Sequence, residues 1–440
     1  MSPTPFHLGW FLAGSNAQAW GRPWSGAVGR DWAKPDLYVD AVRALERACF
    51  DYVLLEDNVF VGDTYGGSMD VYLRNAVQVP RMEPLMLAPL LASATSRIGI
   101  VPTISTFAYH PYLVARTVGT LDQLSGGRAG WNMVTGSSDR AVQNYGMAAM
   151  EPHDTRYEMA SEFCDLVNAL WDSWEPGAVV ADPESGVFVD PEKVRPVDFH
   201  GKWYASRGPL NSGPLPQGRA VLAQAGSSPR GRAFAAGYAD TVVGAEGTVE
   251  GMKRFRYDVR ARRAAAGGDP DTVKVLFVVT PVLGESDAEA EVREAQRAAT
   301  GLALAEQTLA VTAKTTGIDF ADFPLDEPLG ERELTTNGSQ DTLRTFVERN
   351  RGRTLREAAA LSYGGTSRSL GLVGGLETVA GQLGDIMAEV GGDGFLFASP
   401  DLHRRTIAEI TDGLVPVLQR RGLVRTGYSA TGFRDNLLEF

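Results

Sequence analysis

Ile98-Gly99-Ile100-Val101-Pro102-Thr103, then Pro111 to Leu124, then Ala129-Gly130-Trp131-Asn132-Met133-Val134: an apolar run, a longer stretch of helical periodicity and a second apolar run decide how this chain folds. Short runs rich in β-branched and aromatic residues, alternating with helical segments, are the pattern of a parallel α/β sheet. Working outward, the alternation recurs. Strands are predicted at Phe6 to Leu12, Tyr52 to Leu55, Ile98 to Thr103, Ala129 to Val134, Ala220 to Ala225, Thr241 to Val243, Val273 to Val282 and Gly394 to Ala398. The helices that follow them are predicted at Asp36 to Cys49, Glu83 to Thr95, Pro111 to Leu124, Thr155 to Trp171, Pro229 to Tyr238, Thr248 to Ala266, Ser286 to Thr300 and Asp401 to Arg421. Such a count is that of an α/β TIM barrel, (β/α)8, which tolerates long insertions on its loops. One barrel domain over residues 1–440 then accounts for the length, with insertions at about 175–218 and 302–375 and a further surplus from Val59 to Arg81. A doubly wound sheet with a second domain is the competing architecture. The Gly-rich stretches Gly364 to Ser369 and Gly371 to Gly375 read as mobile loop, and the excursion from Leu302 to Gly375 as a lid hinged at Gly364, Gly365, Gly371, Gly374 and Gly375.

Composition narrows the function. With 44% apolar and 22% charged residues the chain can bury a sizeable core, and 54 acidic against 42 basic residues leave a net charge of −12. A nucleic acid or an acidic membrane surface finds no general attraction to such a protein. Only Cys49 and Cys164 occur, each within an apolar helical pattern, so buried thiols are expected rather than a disulfide or a metal cluster. No basic stretch with a following apolar run opens the sequence, and no run of about 18 apolar residues occurs, so a cytoplasmic, soluble protein is expected.

Demanding motifs are missing: no dinucleotide Gly-x-Gly-x-x-Gly after a strand, no P-loop, no Gly-x-Ser-x-Gly elbow, no His-Glu-x-x-His. The histidines, His7, His110, His153, His200 and His403, are scattered, and no metal site is expected. A barrel builds its site at the C-terminal strand ends, and these are polar here: Glu56-Asp57-Asn58, Thr103-Ile104-Ser105-Thr106, Asn132 with Thr135-Gly136-Ser137-Ser138, and Gln224-Ala225-Gly226-Ser227-Ser228-Pro229. The last is the sharpest, because Ser228 suits an N-cap, Pro229 the first helical position and Gly226 a tight turn with free N–H groups. A helix start of this kind accepts an anion without lysine. Arg230 and Arg232 lie near it, either as phosphate partners or as solvated helix residues. His153 and Tyr157, four apart, would share one helix face and reach one ligand, or be an exposed His and a core Tyr. His110 is a capping residue or a proton donor, and Trp10, Phe11, Phe60 and Tyr65 are candidates to wall an apolar pocket. Glu56 and Asp57 do not suit glycoside hydrolysis, since neighbours on a strand face opposite ways.

Beyond these readings, Glu83-Pro84 with Ala94-Thr95, Pro111-Tyr112-Leu113-Val114-Ala115-Arg116, Leu121 to Arg128, Gly130-Trp131-Asn132, Arg156-Tyr157 with Glu162-Phe163, Gly208-Pro209-Leu210, Pro216-Gln217-Gly218 and Gln224-Ala225-Gly226 together resemble the flavin-dependent two-component monooxygenases of the bacterial-luciferase superfamily, in the nitrilotriacetate and dibenzothiophene-sulfone monooxygenase branch. The resemblance runs over most of the chain. It implies a barrel that takes reduced FMN as a co-substrate from a separate flavin reductase. Through a flavin hydroperoxide it would insert one oxygen atom of O2 into a small organic substrate. Carried over by position, the flavin contacts would be Asp57, Thr103, Asn132, His153, Tyr157, Ser227 and Ser228, with the phosphate at Gly226 to Ser228. A homo-oligomer, a dimer or a dimer of dimers, is also implied, whereas no catalytic acid or base is. Where this family commonly has a His-x-x-Ala-Trp-Arg-like stretch, this chain has Asn16-Ala17-Gln18-Ala19-Trp20-Gly21-Arg22, which puts the substrate in doubt more than the cofactor. The rival on the same barrel is deazaflavin-dependent hydride transfer.

Overall fold

A computed structural model describes residues 4–12, 28–330, 334–363, 370–399 and 402–440. Its centre is a closed parallel barrel of the strands β1 (His7–Leu12), β2 (Tyr52–Leu55), β3 (Gly99–Ser105), β4 (Gly130–Val134), β5 (Val221–Gln224), β6 (Thr241–Gly244), β7 (Lys274–Val279) and β8 (Gly394–Ala398). Consecutive strands are neighbours, and β1 closes the ring against β8 through His7 opposite Gly394. This is the (β/α)8 barrel that the alternation predicts. Its strands read as unbroken apolar runs because both faces are buried: along β2, Tyr52 and Leu54 belong to the barrel interior while Val53 and Leu55 pack outward against the helices. At the N-terminal end the interior is filled by Phe433 and Leu437 of the short helix Phe433–Leu437, both fully buried among Tyr52, Val101 and Leu276.

The outer layer includes α1 (Asp36–Arg47), α2 (Pro84–Ser93), α3 (Pro111–Ser125), α4 (His153–Trp171), α5 (Pro229–Tyr238) and α6 (Val249–Ala265). Gly126 and Gly127, at φ +67° and +88°, end α3 in a conformation that a side chain would strain. Arg128 follows them into the interior and donates to the carbonyls of Ala92, Thr95, Ile98 and Ser125 at 2.8–3.1 Å. One guanidinium thus ties the end of α2, the approach to β3 and the end of α3.

The second half departs from expectation in three places. The run predicted as Val273 to Val282 stops at Val279; Pro281 has no N–H for the ladder, and Val282–Gly284 pairs instead with Val373–Gly375 in a separate two-stranded ribbon. The helix predicted over Ser286 to Thr300, α7 (Asp287–Ala303), belongs to the excursion, which continues through α8 (Ala305–Thr316), α9 (Gln340–Arg349) and α10 (Leu355–Ser362). The helix leading back into β8 is α11 (Leu376–Val390). Third, the helix expected over Asp401 to Arg421 is interrupted by a π-helical segment, Glu409–Leu414, where Pro416 lacks the N–H that an α-helix would bond to Asp412. Asp401 itself lies outside the described residues.

The excursion has a core of its own, in which Leu309, Phe320, Phe346 and Leu355 are buried. Gly374 and Gly375 are held by ladder pairing with Leu283 and Gly284, so they are not hinges; Gly364, Gly365 and the rest of Gly364 to Ser369 lie outside the described residues, as does the stretch Asn16 to Arg22. The region around 175–218 carries two small antiparallel pairs, Val179–Asp182 with Val187–Val189 and Phe199–His200 with Ala205–Ser206. Among the described residues no helix is long and apolar enough to cross a membrane.

Candidate active site

A cavity of about 300 Å³ opens at the C-terminal ends of the strands, walled by the loops after β2, β4 and β5, the start of α4 and the segment Gly338 to Asp341. Its polar floor is the turn from β5 into α5. Ser228 caps α5, its Oγ accepting from the Gly231 N–H at 3.0 Å, and Pro229 follows at the first helical position. Gly226 cannot be replaced without disturbance: a Cβ there would lie 2.3 Å from Gln224 Nε2 and 2.7 Å from Tyr157 Oη. The backbone of Gly226 to Ser228 is therefore open to a ligand on one side and pressed against buried side chains on the other.

His153 and Tyr157 do lie together on α4, their rings 5.1 Å apart edge to face, and both line the cavity. Ser228 Oγ sits 3.3 Å from His153 Nε2, and His153 Nδ1 lies 2.8 Å from Asp154 Oδ1. The tautomer that satisfies both donates Nδ1–H to Asp154 and accepts the Ser228 proton at Nε2. Burial pushes the Tyr157 phenol up, against hydrogen bonds from Ser228, Thr135 and Gln224, so it stays a protonated donor. Arg232 braces the turn and does not face the cavity: it ion-pairs with Asp258 and donates to the Ser227 carbonyl at 2.7 Å.

Asp57 lines the opposite wall. Burial, reinforced by Glu83, pushes its carboxyl up to about 6 although the Asn58 N–H donates to it at 2.7 Å. Thr103 and Asn132 sit below the wall, not on it: Asn132 Nδ2 donates to Thr103 Oγ1 at 2.8 Å, and both are buried. Among the described residues Asn132 Oδ1 and Gln224 Oε1 are buried acceptors without donors. The donor set at the α5 start and the orphan acceptors near the strand ends suit a ligand with an anionic tail and an N–H-bearing head, and a flavin mononucleotide has both. One feature works against the phosphate. Ser227 Oγ donates to the carboxylate of Asp341, which is also paired with Arg344, so a phosphate takes that hydroxyl only by displacing Asp341.

Other sequence candidates resolve simply. His110 caps α3, its Nδ1 accepting from the Tyr112 N–H at 3.2 Å. Phe60 lines the cavity, Trp10 packs in the core against Phe50, Phe11 packs at the edge of the interior cluster, and Tyr65 packs on the excursion. Cys49 and Cys164 are buried free thiols. Sequence reading missed Phe107 and Gly338 to Asp341 on the cavity wall and, behind it, Lys314 against the Phe60 ring and Arg81 paired with Glu56. For Gly338 to Asp341 a signal existed, because Ser339 with Thr342 is a helix start of the same kind as Ser228.

A closed parallel barrel with a cavity at the C-terminal ends of its strands is the arrangement of a barrel enzyme. The family model described as luciferase-like monooxygenase matches residues 7–394, and the chain belongs to that family. It is 38% identical over 439 residues to the dibenzothiophene-sulfone monooxygenase of Rhodococcus erythropolis (strain XP), covering 98% of this chain and 96% of the relative. To the nitrilotriacetate monooxygenase component A of Aminobacter aminovorans it is 33% identical, covering 91% and 89%. The crystal structure of riboflavin lyase with modified FMN and riboflavin superposes with a TM-score of 0.86 at 30% identity, covering 99% of this chain and 96% of that one.

Proposed function

We propose that this chain is the oxygenating component of a two-component system that takes reduced FMN from a separate flavin reductase. The observation that carries the reading is the start of α5: Gly226 to Ser228 opens into the cavity with backbone donors beside Tyr157 and His153. Ser227, Ser228, Tyr157 and His153 would hold the phosphate end, and Asp57, just after β2, with Thr103 and Asn132 of β3 and β4 supporting it from the layer beneath the cavity surface, the ring system. Reduced flavin, when bound, supplies the two electrons that activate O2, one atom of which enters a small organic substrate while the other leaves as water. The chain's own residues bind and orient. Phe60, Phe107, Met133 and Val134 present apolar surface that keeps bulk water from the reacting region, and protonated Tyr157 donates without carrying charge. Two further parts of the reading are a cytoplasmic location, in keeping with free buried thiols, and a homo-oligomer, in keeping with Met86, Leu90 and Leu113 exposed on the packed helices α2 and α3.

The test is a titration with FMN, oxidised and photoreduced under anaerobic conditions, beside an NADH assay. Reduced FMN is expected to bind more tightly than oxidised, and the isolated chain to oxidise NADH only when a flavin reductase is added. Rapid NADH oxidation by the chain alone, or binding of a deazaflavin but not of FMN, refutes the reading.

A further inference from the structure

Behind Phe60, which lines the cavity together with Asn58, stands a side-chain cluster that cofactor binding does not use. Three segments meet there: the loop leaving β2, the approach to α2 that carries Arg81, and α8 with Lys314. Lys314 is 4% exposed, its Nζ lies 4.6 Å from the centre of the Phe60 ring, and among the described residues no acceptor hydrogen-bonds it. Arg81, with a side chain 5% exposed, is paired with Glu56 at 3.0 Å, yet among the described residues its Nε finds no acceptor. Asn58 Nδ2 finds none either. A buried donor without an acceptor costs about 1–3 kcal/mol, more when charged, so several in one place are not the signature of a packed wall. Burial and the nearby Arg81 bring the Lys314 amine down to about 7, while Glu56 and Asp57 oppose that fall. The carboxylates nearby are Glu56 and Asp57, and neither hydrogen-bonds the Lys314 ammonium.

We propose that Lys314, with Arg81 and Asn58, is a subsite for a carboxylate of the substrate, which is therefore an apolar molecule carrying an acid group. The inference rests on the monooxygenase reading, in that it takes the remaining cavity to be the substrate's. A carboxylate is an acceptor-only group whose two oxygens can serve a guanidinium and an ammonium at once. Phe60 and Phe107 give the apolar body a surface. The cofactor's own anion is assigned to the Ser228 end, so it does not compete.

The probes are benzoate and benzyl alcohol, equal in bulk and different in charge, titrated calorimetrically into the chain with and without FMN. Benzoate is expected to bind at least about tenfold more tightly. Lys314→Met should abolish that preference, and Lys314→Arg should keep it. Lys314→Met should also melt at a higher temperature than the parent in the absence of ligand, since an unpaired buried charge is gone. Undetectable benzoate binding, equal affinity for both probes, or a preference unchanged in Lys314→Met overturns the proposal. So does a preference lost in Ser228→Asp but not in Lys314→Met, which would place the anion at the α5 start. Failure of the parent chain to bind FMN, with the benzoate preference intact, refutes the flavin reading and leaves the subsite standing.

Discussion

Replacing Gly226 by alanine tests the cofactor cradle with one methyl group. The new Cβ would lie 2.3 Å from Gln224 Nε2, 2.7 Å from Tyr157 Oη and 3.1 Å from Gly231 Cα, all inside the 3.4–4 Å of ordinary contact. Gln224 and Tyr157 are only 4% and 6% exposed, so each can give way only into the cavity that both line. The first turn of α5 must therefore shift, or Gln224 and Tyr157 must move into the space that the ligand would take. Overpacking of this kind costs about 1–3 kcal/mol of stability. If the phosphate rests on the same turn, FMN affinity should fall by about tenfold to a hundredfold, since each tenfold is about 1.4 kcal/mol. Gly237→Ala, in the same helix and with nothing within 4 Å of its added Cβ, is the control; it should stabilise the chain by roughly 0.5–1 kcal/mol and leave FMN binding alone. Urea unfolding gives the first quantity and fluorescence titration the second. A folded Gly226→Ala protein that binds FMN as the parent does would refute the placement of the phosphate, whatever its stability.

Two further outcomes follow from burial. Asp57, held at about 6 against 3.8 for a free carboxyl, keeps a proton in the native state that the unfolded chain has already released. Between those values the native state binds more protons, so stability is fully present below the lower one and falls by on the order of 2 kcal/mol as pH rises through the higher one; Asp57→Asn should remove that fall, and urea midpoints of parent and variant that run parallel from about pH 4 to 7 would contradict the assignment. Phe433→Ala empties the N-terminal end of the barrel, where the ring packs on Tyr52 at 5.5 Å between centroids. It should cost about 3–5 kcal/mol with little change in FMN affinity, and a stability loss confined to tenths of a kcal/mol would show that the helix Phe433–Leu437 does not seal the barrel.

The barrel was legible because its information is local. Each strand is buried on both faces and so reads as an apolar run, and several helix starts announce themselves through capping residues such as Ser228, Thr248 and Ser286. Which helix packs on the barrel is not local. The periodicities of α7 and α11 are alike, and nothing in either tells that α7 serves the excursion while α11 leads into β8. The same division holds at the cavity. Asp57, His153, Tyr157, Ser227 and Ser228 follow strand ends or open helices, and the structure brings them to one cavity; Thr103 and Asn132 share that logic but lie one layer below its surface. Lys314 sits in the middle of a helix of the excursion, where a lysine ordinarily reads as a solvated face, and only the tertiary packing on Phe60 reveals that it is buried.

This division bears on how such a site is held together. On the proposed reading the cofactor would be gripped mostly by backbone geometry at one turn, and backbone donors need little support beyond a rigid strand and helix. The cation at the other end is different: a buried ammonium destabilises the ligand-free chain and would draw in water or neutralise itself unless the element carrying it were fixed. The excursion supplies that fixity. Leu309 and Ala313, on the same helix as Lys314, are fully buried in the excursion's own core, and Tyr72 Oη donates to the Ala310 carbonyl at 3.0 Å, tying α8 to the loop region that leads from β2 to Arg81. The residues from Val59 to Arg81 and the excursion therefore form one packed wall, with Glu56 and Arg81 at its inner edge. A change in the excursion's core should reach the proposed anion subsite through α8 while leaving the α5 turn untouched, so on this reading substrate preference and cofactor affinity should be separable by mutation.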